Sequence, residues 1–161
     1  MIFEGTLHEY RQYLKHAIFK YQPFFEHAWE AENIITRLED RDVLLRLGNF
    51  KIIHAGEEMN WADFPLRFVD GSVLMIAQTL RPLGNRKLEL IQSIFVFVKV
   101  VEGRAQYVFH YDKVVDIPNH PDNHLQIEFD KSVNTPRFDT YKFVELEEII
   151  GMIIRDGLIM N

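Results

Sequence analysis

From Phe64 onward the apolar residues of this chain follow a period of two, and no other feature limits its fold as much. Successive side chains of a strand point to opposite faces, so such segments read as strands of a sheet with a covered side. Leu125-Gln-Ile-Glu-Phe129 alternates cleanly: Leu125, Ile127 and Phe129 take one side, and His124, Gln126 and Glu128 the other. Leu88 to Val100 is rich in β-prone residues, Val101-Glu-Gly-Arg-Ala105 reads as a turn, and Gln106 to Val115 reads as the returning strand. Leu66-Arg-Phe-Val69 and Val73 to Leu80 flank Asp70-Gly71-Ser72. Asp-Gly between apolar runs is a strong hairpin signal, because glycine supplies the positive φ that the turn needs. That hairpin would set Arg67 opposite Leu74–Ile76.

The two ends carry a helical period instead. Leu7, Tyr10, Leu14, Ala17, Ile18 and Tyr21 form one stripe, with Thr6 as N-cap and Pro23 as terminator. Phe24 to Ile35 reads as a second helix, and residues 41–54 fit either a strand or a helix end. Leu146, Ile149, Ile150, Ile153 and Ile154 stripe a last helix, with three glutamates at its start and Gly157 at the C′ position. The expected architecture is α+β: N-terminal helices, an antiparallel sheet of about five strands, and a C-terminal covering helix. Residues 1–161 form a single expected domain, with 1–60 a mainly helical extension and 61–161 the sheet and last helix.

Composition excludes more than it assigns. The chain has no cysteine, which removes disulfides, thiolate metal sites and cysteine nucleophiles and suits a reducing cytoplasm. Eighteen Lys and Arg against 24 Asp and Glu leave a net charge of −6, which disfavours non-specific coating of nucleic acid. The densest positive stretch, Arg81-Pro-Leu-Gly-Asn-Arg-Lys87, reads as a solvated loop. The first residues lack a signal peptide's basic and apolar regions, and no apolar run is long enough to span a bilayer. The expectation is a cytoplasmic protein without a membrane partner. No G-x-G, P-loop or G-x-S-x-G pattern occurs, so common nucleotide-dependent and serine-hydrolase types are set aside.

One polar concentration remains, from Tyr107 to Glu128. Strand alternation puts His110 and Asp112 on one face and Tyr107, Phe109 and Tyr111 on the other. The loop from Asp116 to His124 adds His120 and Asp122. Should the polar faces of the two strands coincide, three histidines and several carboxylates would gather, able to move protons or ligate a metal. A simple solvated sheet face would contain the same residues. His8, His16, His27 and His54 lie outside this stretch and read as structural or surface residues.

Arg67-Phe-Val-Asp-Gly-Ser72, Val108-Phe-His-Tyr-Asp112, Pro118-Asn-His-Pro-Asp-Asn-His-Leu125 and a Glu/Ile-rich final helix occur in that order. In this the chain resembles the TumE-type toxin family of toxin–antitoxin modules, over roughly residues 64–156. The resemblance implies a small growth-inhibiting protein neutralised by a helix-turn-helix antitoxin encoded beside it. Joined to the polar cluster, it gives a first expectation: a toxin acting on RNA or on the translation apparatus. Its catalytic residues would be His110, Asp112, His120 and His124, with Arg67 and Tyr111 binding substrate. The histidines would serve as general acid and base, and Arg67 would hold a phosphate. No cofactor is called for; a metal, were one bound, would be Zn²⁺ or Mn²⁺ on His120, His124 and Asp112. The second expectation is a non-enzymatic binding module, in which an exposed stripe of Leu7, Tyr10, Leu14 and Ile18 takes a partner or another copy of the chain.

Overall fold

The alternating segments pair into one antiparallel sheet of eight strands in the computed structural model, which describes residues 1–47, 50–60, 64 and 66–159. The strands are β1 Ile2–Glu4, β2 Ile34–Glu39, β3 Asp42–Leu47, β4 Val73–Gly84, β5 Lys87–Val101, β6 Arg104–Lys113, β7 Asn123–Glu128 and β8 Phe138–Asp139. They lie in the order β2-β3-β4-β5-β6-β7-β8, and β1 pairs with the first residues of β5. Two α-helices, α1 Leu7–Phe19 and α2 Leu146–Arg155, cover one face. The α+β class and the C-terminal helix are as expected, but the sheet has eight strands rather than about five.

Three of the additional strands, β1 to β3, come from the N-terminal third and the last, β8, from the stretch before α2, so the expectation that residues 1–60 are mainly helical is corrected. The helix expected over Phe24–Ile35 is absent. In its place are 3-10 turns at Gln22–Phe24 and Ala28–Asn33, followed by β2. Phe25, Ala28, Ala31 and Ile34 are the buried residues, and their spacing of three is the repeat of a 3-10 turn. Ile34-Ile35-Thr36 then places three β-branched residues together, which favours extended chain. The ambiguous stretch 41–54 resolves into β3 and an irregular segment from residue 50; Gly48 and Asn49 lie outside the described residues.

Helix α1 starts where the sequence indicates. Thr6 Oγ1 accepts from the Glu9 amide and Glu9 returns the bond to the Thr6 amide, a complete capping box. Tyr10, Leu14 and Ile18 are fully buried against the sheet, so the exposed stripe required by the binding-module expectation does not exist. The Tyr10 hydroxyl donates to Gln78 Oε1, and Gln78 Nε2 donates to Ser93 Oγ, which satisfies the polar groups under the helix. Helix α2 ends in a Schellman motif at Gly157, whose φ is +68°. There the Leu158 amide donates to the Ile153 carbonyl and the Gly157 amide to that of Ile154. No described helix is long and apolar enough to cross a membrane.

The opposite face of the sheet is covered in part by the segment 50–60 and Phe64. Ile53, Met59 and Phe64 pack on Met75, Val96, Val98 and Val108. The Gly56 amide donates to the Ala105 carbonyl, and the Met59 amide to that of Gly103, which ties this segment to the turn between β5 and β6. The basic stretch 81–87 is the exposed tip of the β4–β5 hairpin, a solvated connection between strands as expected. Arg81 there pairs with Asp42 through two bonds of 2.8 and 3.0 Å, and Arg86 with Glu9.

At Asp70-Gly71-Ser72 the chain does turn tightly. The Phe68 amide donates to the Ser72 carbonyl, Asp70 Oδ1 accepts from the Ser72 amide, and Gly71 has φ +86°. Its first arm is only a single bridge, Arg67 to Val73, and the true partners of β4 are β3 and β5. Arg67 is thus opposite Val73, not Leu74–Ile76. Asp70 Oδ2 also accepts from Lys99 Nζ at 2.7 Å, with both side chains nearly buried, so the turn is anchored to β5. Gly71→Val puts a branched Cβ at this φ and is expected to cost about 1–3 kcal/mol. At ~2–4 °C per kcal/mol for a chain of this size, thermal melting should show a drop of several degrees, and Gly71→Asn a smaller one. An unchanged melting curve for Gly71→Val would contradict the turn.

Candidate functional site

Cross-strand register decides which polar side chains meet. In the β6–β7 ladder His110 pairs with Gln126 and Asp112 with His124. Directly paired residues share a face with their Cβ atoms about 5 Å apart. Val108 and Val96 belong to the core on the segment-50 side, while Phe109 and Leu125 belong to the helix side. His110, Asp112, His124, Gln126 and Glu128 therefore share the face away from the helices. The polar faces of the two strands coincide, and the face is not a plain solvated one.

The center of the group is Asp112. Its Oδ2 lies 2.7 Å from His110 Nδ1 and 3.3 Å from His124 Nε2. A carboxylate only accepts, so in the neutral ring His110 Nδ1 carries the proton and Nε2 the lone pair. The His124 side chain is 1% exposed, that of Asp112 13%, and that of His110 28%. His124 Nδ1 lies 3.3 Å from the Pro121 carbonyl oxygen, which also only accepts, so this ring too carries its proton on Nδ1. Burial holds the His124 pKa below the usual histidine value; Asp112 opposes that shift, and His120 and His110 add to it.

His110 and Asp112, but not the buried His124, open into a cleft of about 350 Å³. Its floor is Ile94, Val96 and Val108 with the polar side chains of β6 and β7; residues 50–54 form one wall. The wall is fastened by Glu128, whose carboxylate accepts from the Ala55 amide at 2.9 Å and lies 3.1 Å from His54 Nδ1. On the other side Gln126 Nε2 donates to the Thr135 carbonyl and hydroxyl oxygens, both at 3.1 Å. Each cleft carboxylate thus has a histidine beside it.

Of the expected site residues, His110, Asp112 and His124 converge. His120 lies at the margin: its ring meets that of His124 edge-on at 4.4 Å between centroids, and its Nδ1 approaches the Pro121 carbonyl. The set His120, His124 and Asp112 is therefore not the one whose ligating atoms cluster; His110 takes the place of His120, and the three groups lie within 4.8 Å of one another. Tyr111 is on the opposite face, packed with the helix-side core, as the alternation that gathers His110 and Asp112 requires. Arg67 lines no part of the cleft; its Nε sits 3.4 Å from Glu26. Neither Tyr111 nor Arg67 belongs to this site. His54, expected to be structural or surface, lines the cleft, and its partner Glu128 is 74 residues away in the chain.

A scan against protein-family models and searches of curated proteins and of solved structures found no match for this chain.

The depressed His124 pKa has a consequence for stability. Unfolding returns this ring to a pKa near 6.5, so below that pH the unfolded chain binds a proton that the native one refuses. The contribution of His124 is fully present above about pH 6.5 and is lost as the pH falls through the window down to its lower native value. Between pH 7.5 and 5 the melting temperature of the wild type should fall more than that of His124→Asn. Parallel curves would show that His124 does not stay neutral in the folded protein.

Proposed function

We propose that the chain is the toxin-type component of a toxin–antitoxin module and acts on RNA through the cleft above His110, Asp112 and His124. The observation that supports this reading most is the His110–Asp112 hydrogen bond at the end of a half-enclosed apolar cleft. Asp112 fixes the His110 tautomer and leaves Nε2 as a base, the arrangement that general-base catalysis needs. In RNA such a base takes the proton of a 2′-hydroxyl as its oxygen attacks the neighbouring phosphorus; the 5′-oxygen leaves with a proton from a second donor. A single-stranded substrate fits better than a duplex, because Phe50 and the aliphatic floor can receive an unstacked base. The net charge of −6 argues against a broad electrostatic footprint, so the site would recognise a few nucleotides and not a long backbone. With Arg67 outside the cleft, it contributes no phosphate contact in this reading. The neutralising partner is the helix-turn-helix antitoxin that the sequence resemblance implies.

Expression of the intact chain in a bacterial host is expected to arrest growth. His110→Ala and Asp112→Asn should relieve the arrest, whereas Tyr111→Phe and Arg67→Ala should leave it in place. Circular dichroism of the purified variants separates loss of function from loss of fold. Normal growth with the intact chain expressed and folded would sink this reading.

A further inference from the structure

We propose that His110, Asp112 and His124 form a binding site for one divalent transition-metal ion, with the open side of the ion facing the cleft. All three come from the backbone ladder of β6 and β7 and not from a loop. Asp112 and His124 are a register pair, and His110 is two residues from Asp112 on the same face. Their ligating atoms already lie within 4.8 Å of one another. Rigid strands hold such a group with little freedom to spread, which suits a preformed site.

The second observation concerns His124. Its Nδ1 proton is committed to the Pro121 carbonyl, so Nε2 presents a lone pair. That nitrogen is buried, has no hydrogen-bond partner among the described residues, and faces Asp112 Oδ2 at 3.3 Å. Asp112 Oδ1 is likewise buried without a partner. A buried imidazole lone pair and a buried carboxylate oxygen on neighbouring side chains, both without a donor, are costly. A cation held between them resolves both at once. The bond from Nδ1–H to a carbonyl is also the outer contact that orients a ligating histidine and raises its basicity.

The donor set limits the ion. Two imidazoles and a carboxylate suit zinc, manganese, iron or cobalt, and leave calcium and magnesium, which prefer oxygen alone, poorly served. Three protein ligands leave a further coordination position, here beside the cleft, where a metal polarises a phosphate oxygen or lowers the pKa of bound water. With the ion in place His110 is a ligand, and that water takes over the task of the base. His120 and His54 are outside the set, which distinguishes this site from a general collection of histidines.

Calorimetric titration of ZnCl₂ into tag-free, chelator-treated full-length protein at pH 7.5 tests the inference. One ion per chain is expected. Asp112→Asn and His124→Asn should each weaken binding by at least about 100-fold, the upper end of what losing an outer contact costs. His120→Ala and His54→Ala should stay within threefold of the wild type. Because His124→Asn alters a buried position, Asp112→Asn and His110→Gln with an unchanged melting curve provide the independent arm. Stoichiometry well below one, or undiminished binding in these two folded variants, would overturn the proposal; so would loss of binding on His120→Ala alone. The result is independent of the RNA reading: a chain that binds zinc without arresting growth keeps this inference and loses that one, and the reverse also holds.

Discussion

The register of β5 is the constraint on which the rest of the molecule depends. This fifteen-residue strand pairs with β4 on one side and with β1 and then β6 on the other. Both of its faces are buried at the center: Phe95 and Phe97 toward the helices, Val96 and Val98 toward the segment 50–60. A slip of one residue would exchange these sets and push two phenylalanines into space shaped for valines. Full burial of such a side chain is worth about 1.5–3 kcal/mol, so several together hold the register firmly. Strand β6 inherits its facing from β5, and β7 from β6. The place where His110 and His124 meet is therefore fixed by aliphatic and aromatic packing two strands away.

Polar groups packed on the sheet are satisfied to different degrees. Under α1, the Tyr10 hydroxyl, the Gln78 amide and the Ser93 hydroxyl form a closed chain of donors and acceptors. In the turn at Gly71, Asp70 meets Lys99 and the Ser72 amide. These arrangements have the satisfied character of structural polar groups. Around Asp112 and His124 the pairing is incomplete. Arg11 Nε, His27 Nδ1, Arg67 Nε and Asn123 Oδ1 are also buried without a hydrogen-bond partner, but among the described residues only Asp112 and His124 are two such groups on directly paired positions.

Much of this was legible in the sequence, for identifiable reasons. Alternation in β6 and β7 depends on residue order alone, so the shared face of His110 and Asp112, and that of His124, Gln126 and Glu128, could be read directly. The same parity places Tyr111 on the helix side, away from His110 and Asp112. The helical reading of Phe24–Ile35 rests on Phe25, Ala28, Trp29 and Ile35, but Trp29 and Ile35 are exposed and the buried set repeats every three residues, as a 3-10 turn does. Arg67 falls outside the site because the apolar run Leu66–Val69 forms only a single bridge to Val73 and not a strand of the sheet. The wall of the cleft left no local trace. Its fastening, from Glu128 to His54 and Ala55, joins residues more than seventy apart, and no period in either segment announces it.

The cleft has a sheet for its floor and an irregular segment for its nearer wall. The floor holds His110, His124 and Asp112 in a ladder of backbone bonds, and the wall, residues 50–54, contributes shape, apolar side chains and the polar groups of Lys51 and His54. Reactivity and selectivity are thus written in separate stretches of chain. A change at Ile52 or Ile53 can widen or narrow what the cleft admits while the geometry at Asp112 stays as it is. A change at His110 or Asp112 alters the chemistry while the Glu128 contacts that hold the wall stay in place. Proteins divided in this way can be retuned for a new molecule without rebuilding the center that acts on it.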